Sequence, residues 1–129
     1  MTETRRYRPR PDRPVAAVQL NLETEGLRYR KWGDEQFARA GDWLVDNDGD
    51  VYTVAAATFA RTYRAVGRGA YVKTTCVWAR RAEAAGRIGT QEGSTGYEAG
   101  DYLVSNNEDG SDAWAIRPDK FEARYEPDA

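Results

Sequence analysis

Short apolar segments bounded by glycine, aspartate or asparagine recur along the chain, a pattern typical of brief β-strands joined by turns. The segments that predict strands are 15–20, 27–32, 43–45, 51–54, 71–80, 87–90, 102–104 and 113–116. Between 43–45 and 51–54 lies Asp46-Asn47-Asp48-Gly49-Asp50. Because Gly and Asn tolerate a positive φ, this run predicts the turn of a β-hairpin.

Two short helices are predicted where the spacing of apolar residues changes. One lies in the alanine-rich segment 55–66, and the other begins near Pro118, since proline suits the first helical position. Each carries two aromatic residues four positions apart, which places them on one helix face. These residues are Phe59 and Tyr63 in the first helix and Phe121 and Tyr125 in the second. We expect both aromatic faces to pack inward against the strands.

Two segments of the chain are similar to each other. Ala40-Gly41-Asp42-Trp43-Leu44-Val45 and Ala99-Gly100-Asp101-Tyr102-Leu103-Val104 begin 59 residues apart, and a Phe-x-x-x-Tyr helix follows each. A repeat in two copies indicates duplication. The sequence therefore predicts a strand-dominated α+β fold of two tandem, related β-hairpin-plus-short-helix modules. They cover 14–66 and 70–126, join at a Gly-rich connector at 66–70, and pack as one pseudo-twofold domain.

The core must be built largely from aromatic residues. Leu, Ile, Val and Phe together number 19 of the 129 residues, whereas Trp, Tyr and Phe number 15. This aromatic area and a net charge of only −2 favour a folded chain over a disordered one. A chain of this length buries roughly two-thirds of its surface on folding, so it needs no disulfide or metal to hold it.

Several kinds of catalytic and metal chemistry are excluded by the composition. The chain has no histidine, which removes Ser-His, Cys-His and His-metal sites. Its single cysteine, Cys76, has no disulfide partner and is predicted to be a small buried residue of a strand. Asp46, Asp48 and Asp50 lack the glycine and glutamate spacing of a calcium loop. We therefore predict neither a metal site nor a cofactor.

Charge is distributed unevenly along the chain. Residues 1–13 contain five arginines against Glu3 and Asp12, whereas the remainder has a net charge of −5. One interpretation of this basic arm is nucleic-acid contact through phosphates. Its candidate residues are Arg5, Arg6, Arg8 and Arg10. The favoured interpretation is a flexible, solvated arm, whose deletion would leave the melting temperature nearly unchanged.

Location and partners follow from what the sequence lacks. No apolar run approaches the length of about 18 residues that a membrane span needs, and the N-terminus lacks the apolar stretch of a signal peptide. The absence of both segments, together with a single cysteine, favours a location in the cytoplasm. We expect a monomer or weak homodimer whose partner is a protein or a small-molecule ligand, with nucleic acid disfavoured.

Asp42 and Asp101 occupy corresponding places in the two similar segments. If the fold brought them together, they would form a pair of carboxylates able to act as acid and base. The favoured interpretation is structural: each carboxylate accepts backbone N–H bonds at a tight Gly-Asp turn. Under that interpretation, the two aspartates contribute independently to stability.

Aromatic side chains are candidates for a binding surface as well as for the core. Those considered are Trp32, Trp43, Trp78, Trp114 and Tyr102, with the core favoured because Leu and Ile are few. The Gly-rich segment 86–96 is either a binding loop or, as favoured, a long hairpin tip. The candidate contacts to a ligand or partner are Trp43, Tyr102, Trp114, Arg87 and Glu92.

Two Gly-Asp-aromatic turns, Ala40-Gly41-Asp42-Trp43-Leu44 and Ala99-Gly100-Asp101-Tyr102-Leu103, resemble the Pro-Gly-Asp-Tyr-Gly motif of the PGDYG family. Members are small bacterial and phage-associated proteins. Both turns differ from the motif at its first and last positions. The resemblance implies a phage- or mobile-element-linked accessory protein, and it brings no catalytic residue or cofactor.

The leading functional hypothesis is a non-enzymatic binding or interaction module, because no nucleophile is paired with a histidine base. One alternative is a small carboxylate-dependent enzyme that uses Asp42 and Asp101. The other is a weak nucleic-acid binder that uses the N-terminal arginines.

Overall fold

The computed structural model describes residues 3–11, 13–31, 34–90 and 93–128. Its strands are β1 (Arg5–Pro9), β2 (Val15–Gln19), β3 (Gly26–Lys31), β4 (Asp34–Arg39), β5 (Trp43–Asn47), β6 (Asp50–Val54), β7 (Tyr63–Gly67), β8 (Ala70–Lys73), β9 (Val77–Arg81), β10 (Gly86–Gly89), β11 (Ser94–Tyr97), β12 (Tyr102–Ser105), β13 (Ala113–Ile116) and β14 (Tyr125–Pro127). The helices are α1 (Ala56–Thr62) and α2 (Pro118–Arg124). The predicted strand-dominated α+β class is confirmed.

The strands form two five-stranded antiparallel sheets and two separate hairpins. Sheet I has the order β6-β5-β2-β8-β7, and sheet II has the order β13-β12-β9-β1-β14. The hairpins are β3–β4 and β10–β11. The second of them confirms that the Gly-rich segment 86–96 is a hairpin, with Gly89 paired to Ser94 next to its tip.

Each five-stranded sheet contains one interior strand from the other half of the chain. β1 lies between β9 and β14 of sheet II, where Tyr7 pairs with Val77 on one side and Pro127 on the other. β8 lies between β2 and β7 of sheet I, where Tyr71 pairs with Val15. The predicted connector at 66–70 is therefore a turn within sheet I and does not separate the two sheets.

The prediction of a flexible N-terminal arm is wrong for residues 5–9. In β1 the exposed Arg6 and Arg8 alternate with the partly buried Tyr7 and Pro9, which is the period of a strand with one face on the core. Because proline has no N–H to donate, its place at the end of β1 costs no ladder bond inside the strand.

Two predicted element boundaries also differ from the structure. The helix predicted over 55–66 ends at Thr62, because Tyr63 turns extended (φ −127°, ψ 154°) and begins β7 beside β8. The β-prone Tyr63 gains a ladder partner there, Lys73. The strand predicted over 71–80 is two strands, β8 and β9, which lie in different sheets.

The core has two aromatic clusters, one on each five-stranded sheet. In sheet I, Phe59 of α1 is 3% exposed and stacks on Trp43 with ring centroids 4.1 Å apart. In sheet II, Phe121 of α2 is 1% exposed and stacks on Tyr102, also at 4.1 Å. The predicted inward packing of both helix faces is confirmed, and these rings fix the helices that border the candidate site.

Candidate functional site

The outer strands β6 and β13 of the two sheets line a common cleft of about 180 Å³, together with residues of α1 and α2. Its apolar surface includes Val54, Ile116 and the rings of Tyr52 and Trp114. Its charged residues are Asp50, Lys73, Asp101, Asp112, Arg117, Lys120 and Arg124. The cleft therefore combines flat aromatic walls with polar groups contributed by both sheets.

Lys73, the last residue of β8, places its ammonium group among aromatic rings at this cleft. Its Nζ lies 4.7 Å from the ring centroid of Trp114, 5.7 Å from that of Tyr125 and 5.9 Å from that of Tyr63. Nζ donates one hydrogen bond, to Asn106 Oδ1 at 3.0 Å. Among the described residues, no carboxylate lies within ion-pair distance of Nζ.

Burial lowers the pKa of the Lys73 ammonium from its usual 10.5 to about 7. The charge of Asp112 opposes this shift, and the nearby Arg61 adds to it. The amine is therefore close to half protonated near neutral pH. The surrounding rings compensate only in part for the water that an exposed lysine would keep.

Aspartates at the ends of β6 and β13 connect the two halves across the cleft. Asp50 Oδ1 lies 2.9 Å from Lys31 Nζ, and Asp50 Oδ2 lies 3.0 Å from Arg124 of α2. Burial raises the pKa of Asp50, but hydrogen bonds from Lys31 and Arg124 outweigh it and hold that pKa below its ordinary value. Asp112 accepts hydrogen bonds from Thr58 of α1 at 3.3 Å and from Asn106 at 2.9 Å. The carboxylates in the cleft thus already have cationic or polar partners.

Asp42 and Asp101 each bind groups that lie close to them in the sequence, within their own half of the chain. Asp42 accepts the N–H of Arg39 at 2.9 Å and the N–H of Ala56, the first residue of α1, at 3.1 Å. Asp101 accepts the N–H of Glu98 at 3.0 Å. Whereas α1 begins with Ala56, α2 begins with Pro118, which has no N–H to donate. The second contact of Asp101 is therefore with the side chain of Arg117, at 3.5 Å. These contacts are those of turn caps.

We expect Asp42→Ala to cost about 1–3 kcal/mol of unfolding free energy, because it leaves two backbone N–H donors without an acceptor. Asp101→Ala leaves one such donor and should cost less. The two losses should add in the double variant, since the turns share no partner. Urea unfolding measures all three, with the exposed Glu23→Ala as the control. A double variant that is no less stable than either single variant would contradict independent caps.

The predicted ligand contacts are dispersed in the fold. Trp43 and Tyr102 belong to the two aromatic clusters, whereas Trp114 lines the cleft. Arg87 pairs with Asp34 on the β3–β4 hairpin and lies outside the cleft. Trp78 is a partly buried residue of β9. Trp32 and Glu92 lie outside the described residues.

The arginines proposed for nucleic-acid contact lie close to carboxylates of the C-terminus. Arg6 is 2.8 Å from Asp128, and Arg8 is 2.7 Å from Glu126. Arg10 is 3.7 Å from the same glutamate. These ion pairs largely neutralise the basic character of β1, and Arg5 alone of the four candidates has no ion pair among the described residues.

Cys76 lies in the link between β8 and β9, outside any strand and only partly buried, which corrects its predicted position. Its thiol donates to Asp128 Oδ2 at 3.3 Å. Burial and that hydrogen bond raise the pKa of the thiol. The fraction of reactive thiolate at neutral pH is correspondingly small.

Comparisons with protein-family models, curated proteins and solved structures find no match to this chain. The resemblance to the PGDYG family therefore stays a prediction. In the described part of the chain, no group of three or more Cys, Asp or Glu residues is placed to hold a metal ion. No helix there is long and apolar enough to cross a membrane.

Sequence reasoning did not single out Lys73. Its only local signal is its position after Ala70-Tyr71-Val72, and a lysine there is typical of the exposed end of a strand. The aromatic surroundings arise from Tyr63, Trp114 and Tyr125, and only the sheet arrangement brings these together. Of the predicted contacts that the structure describes, only Trp114 lies beside Lys73.

The contribution of Lys73 to the stability of the protein should rise as the pH increases from about 7 towards 10. In that interval the unfolded chain binds a proton at Lys73 that the folded chain has lost, so raising the pH favours the folded state. In Lys73→Met this contribution is absent. Urea unfolding from pH 6.5 to 9.5 should give a free-energy difference between wild type and Lys73→Met that shifts in favour of wild type. Lys120→Met, on the exposed side of α2, is the control. A difference that is constant with pH would contradict the lowered pKa.

Proposed function

We propose that the protein is a non-enzymatic binding protein that holds a small organic anion with a flat apolar body in the cleft. The observation that carries this proposal is the ammonium group of Lys73, which is set among three aromatic rings without a carboxylate partner in the described chain. A cation partly withdrawn from water without a counter-ion is costly, and an anionic ligand would supply that counter-ion.

The chemistry of the cleft favours this class of ligand. The rings of Tyr52 and Trp114 offer flat surfaces for an aromatic or unsaturated body, and Val54 and Ile116 add apolar contact. Asp50 and Asp112 already have partners, so an added cation would have to displace them. The volume of about 180 Å³ is below the roughly 300–1,000 Å³ of pockets for drug-sized ligands. A compact monoacid fits these constraints.

Native mass spectrometry of freshly purified protein is the first test, because a retained ligand would add a discrete mass. Benzoate and indole-3-carboxylate are then titrated, with tryptophan fluorescence as the readout and the uncharged benzyl alcohol as a matched probe. We expect the acids to bind and benzyl alcohol to bind at least about tenfold more weakly, a difference of ~1.4 kcal/mol. Acid affinity should fall as the pH rises above 7, because Lys73 loses its proton.

Variants locate the binding. Lys73→Met should weaken acid binding at least tenfold, whereas Arg80→Gln, an exposed change outside the cleft, should leave it unchanged. Equal binding by Lys73→Met, or equal binding of benzyl alcohol, would exclude Lys73 as the counter-ion. Failure of both acids, together with no retained ligand, would contradict the proposed function.

We further propose that the two halves are duplicated modules related by a pseudo-twofold axis. The supporting observations are the corresponding sheet orders, the matching pairs Val15↔Tyr71 and Val77↔Tyr7, and the equal stacking distances within the two aromatic clusters. Trp43 and Tyr102 occupy corresponding places, so each position should accept the other's residue. Trp43→Tyr and Tyr102→Trp should each cost under about 1.5 kcal/mol in urea unfolding. Unfolding of both variants would contradict corresponding environments.

A phage- or mobile-element-linked role is likewise a proposal, supported by the PGDYG-like turns alone.

A further inference from the structure

The chain has 16 arginines but only three lysines, Lys31, Lys73 and Lys120. The Nζ atoms of Lys31 and Lys120 lie 2.9 and 3.7 Å from Oδ1 of Asp50, the first residue of β6. A carboxylate at ion-pair distance favours the ammonium form, which has no lone pair to give to an electrophile. Lys73 differs from both, because no carboxylate of the described residues lies within that distance of its nitrogen.

Asp112, whose charge acts on Lys73 from a greater distance, is engaged by other side chains. It accepts hydrogen bonds from Asn106 at 2.9 Å and Thr58 at 3.3 Å, and it lies 3.4 Å from Arg61. The amide nitrogen of Asn106 thus points to Asp112, and its Oδ1 accepts the hydrogen bond of Lys73 at 3.0 Å. An uncharged amine that donates this bond keeps its lone pair for reaction.

The nitrogen of Lys73 is set against rings but can be reached from the cleft. The ring centroids of Trp114, Tyr125 and Tyr63 lie 4.7, 5.7 and 5.9 Å from it. The residue itself is only partly buried, and it lines the cleft. The lowered pKa described above supplies the uncharged form of the amine near neutral pH. Geometry and charge state together make this nitrogen a nucleophile that a ligand in the cleft can meet.

We propose that Lys73 is a covalent attachment site, which forms an imine with a small aromatic aldehyde in the cleft. Lysine amines outside ion pairs are the nucleophiles that form such imines with carbonyl compounds. The proposal rests on the proposed function, since it needs the cleft to admit a ligand with a flat body. It adds the class of ligand that would react there, for which the rings of Tyr52 and Trp114 offer flat surfaces.

The reaction is a condensation that needs no further reagent. The Nζ lone pair attacks the carbonyl carbon, the π electrons of the C=O bond move to oxygen, and a proton passes from nitrogen to that oxygen. The nitrogen lone pair of the resulting carbinolamine then forms the C=N bond as the hydroxyl group leaves with a proton as water. Amine and aldehyde give imine and water, with no oxidation or reduction. A protonated imine would keep a positive charge beside the ring faces, which stabilise it.

Reductive trapping of the full chain with benzaldehyde and sodium cyanoborohydride at pH 7 tests the proposal. Cyanoborohydride reduces the protonated imine to a stable secondary amine, so each attachment adds one benzyl group to the mass. We expect one such group per chain, and peptide mapping should place it on Lys73. Lys120, a cleft lysine beside Asp50, is the internal control and should react at least about tenfold more slowly. In guanidinium chloride this selectivity should disappear, because it depends on the fold.

Variants repeat the test with the amine removed. Lys73→Arg keeps a cation among the rings but has no amine that can form the imine, so it should lose the benzyl group. Lys120→Arg should keep it. Equal labelling of the three lysines, labelling confined to the α-amino group, or an unchanged product in Lys73→Arg would overturn the proposal. The map of the wild-type chain decides the question even if a variant fails to fold.

Failure of the covalent step is distinguishable from failure of the proposed function. Benzoate binding needs the ammonium form of Lys73 and is measured without a reductant, whereas trapping needs the amine and uses an uncharged probe. A chain that binds benzoate but gives no benzyl product keeps the proposed function and overturns the attachment site. A product on Lys73 without benzoate binding supports the attachment site and contradicts the anionic ligand.

Discussion

Deletion of residues 1–9 should remove most of the stability of the protein and leave sheet II unable to form its native packing. β1 is an interior strand, so its loss exposes the facing edges of β9 and β14. It also removes Tyr7, whose ring lies 4.8 Å from that of Phe121 and 6.3 Å from that of Tyr102. Against a typical total of about 5–15 kcal/mol, the loss of an interior strand is large. Thermal unfolding followed by near-ultraviolet circular dichroism measures it.

Two controls separate the strand from its charges. Deletion of residues 1–4 leaves β1 intact and should preserve the melting temperature. The double change Arg6→Gln and Arg8→Gln removes two exposed ion pairs, which water and salt screen, and should lower the stability only slightly. A 1–9 deletion that melts within a few degrees of the full chain would show that β1 contributes little, as a flexible arm would.

Truncation of Phe121 to alanine should cost about 3–5 kcal/mol of unfolding free energy. Its ring is almost fully buried and contacts those of Tyr7, Tyr102 and Tyr125 at centroid distances of 4.8, 4.1 and 5.0 Å. Removing it leaves a cavity between α2 and sheet II that the surrounding rings cannot fill without leaving their stacked geometry. Urea unfolding by tryptophan fluorescence gives the value.

Phe59→Ala should have a similar effect on sheet I, because Phe59 stacks on Trp43 and Tyr63. Phe37→Ala is the matched control. Phe37 lies partly buried on the β3–β4 hairpin, with its ring 5.6 Å from the guanidinium of Arg28, and its loss should cost less. Losses below 1 kcal/mol at both Phe59 and Phe121 would mean that these helix faces do not carry the core.

The elements that the sequence predicts well are those with local signals. The turns around Gly49 and Gly110 have positive φ values of 91° and 87°, as glycine permits, and both are hairpin connections. Aromatic residues four positions apart identify the buried faces of both helices. Such features depend on a few neighbouring residues and need no knowledge of distant strands.

The membership of strands in sheets could not be predicted in this way. β1 contains no run of aliphatic residues, and its partners β9 and β14 are far away in the sequence. The end of α1 at Thr62 also depends on a distant element, because β8 provides the ladder that makes the extended conformation of Tyr63 favourable. The candidate cleft and the position of Lys73 follow from these non-local pairings, and so they too could not be read from local patterns.

The placement of β1 also affects the order in which the two sheets form during synthesis. β1 is made before both of its partners, and Arg8 and Glu126 are 118 positions apart. Sheet II therefore cannot close until β14 has been made, and Tyr7 lacks its aromatic neighbours Tyr102 and Phe121 for most of that interval. Sheet I meets no such delay, since all its strands lie between Val15 and Lys73. The newly made chain should thus fold from the first sheet to the second, with its N-terminus docking last.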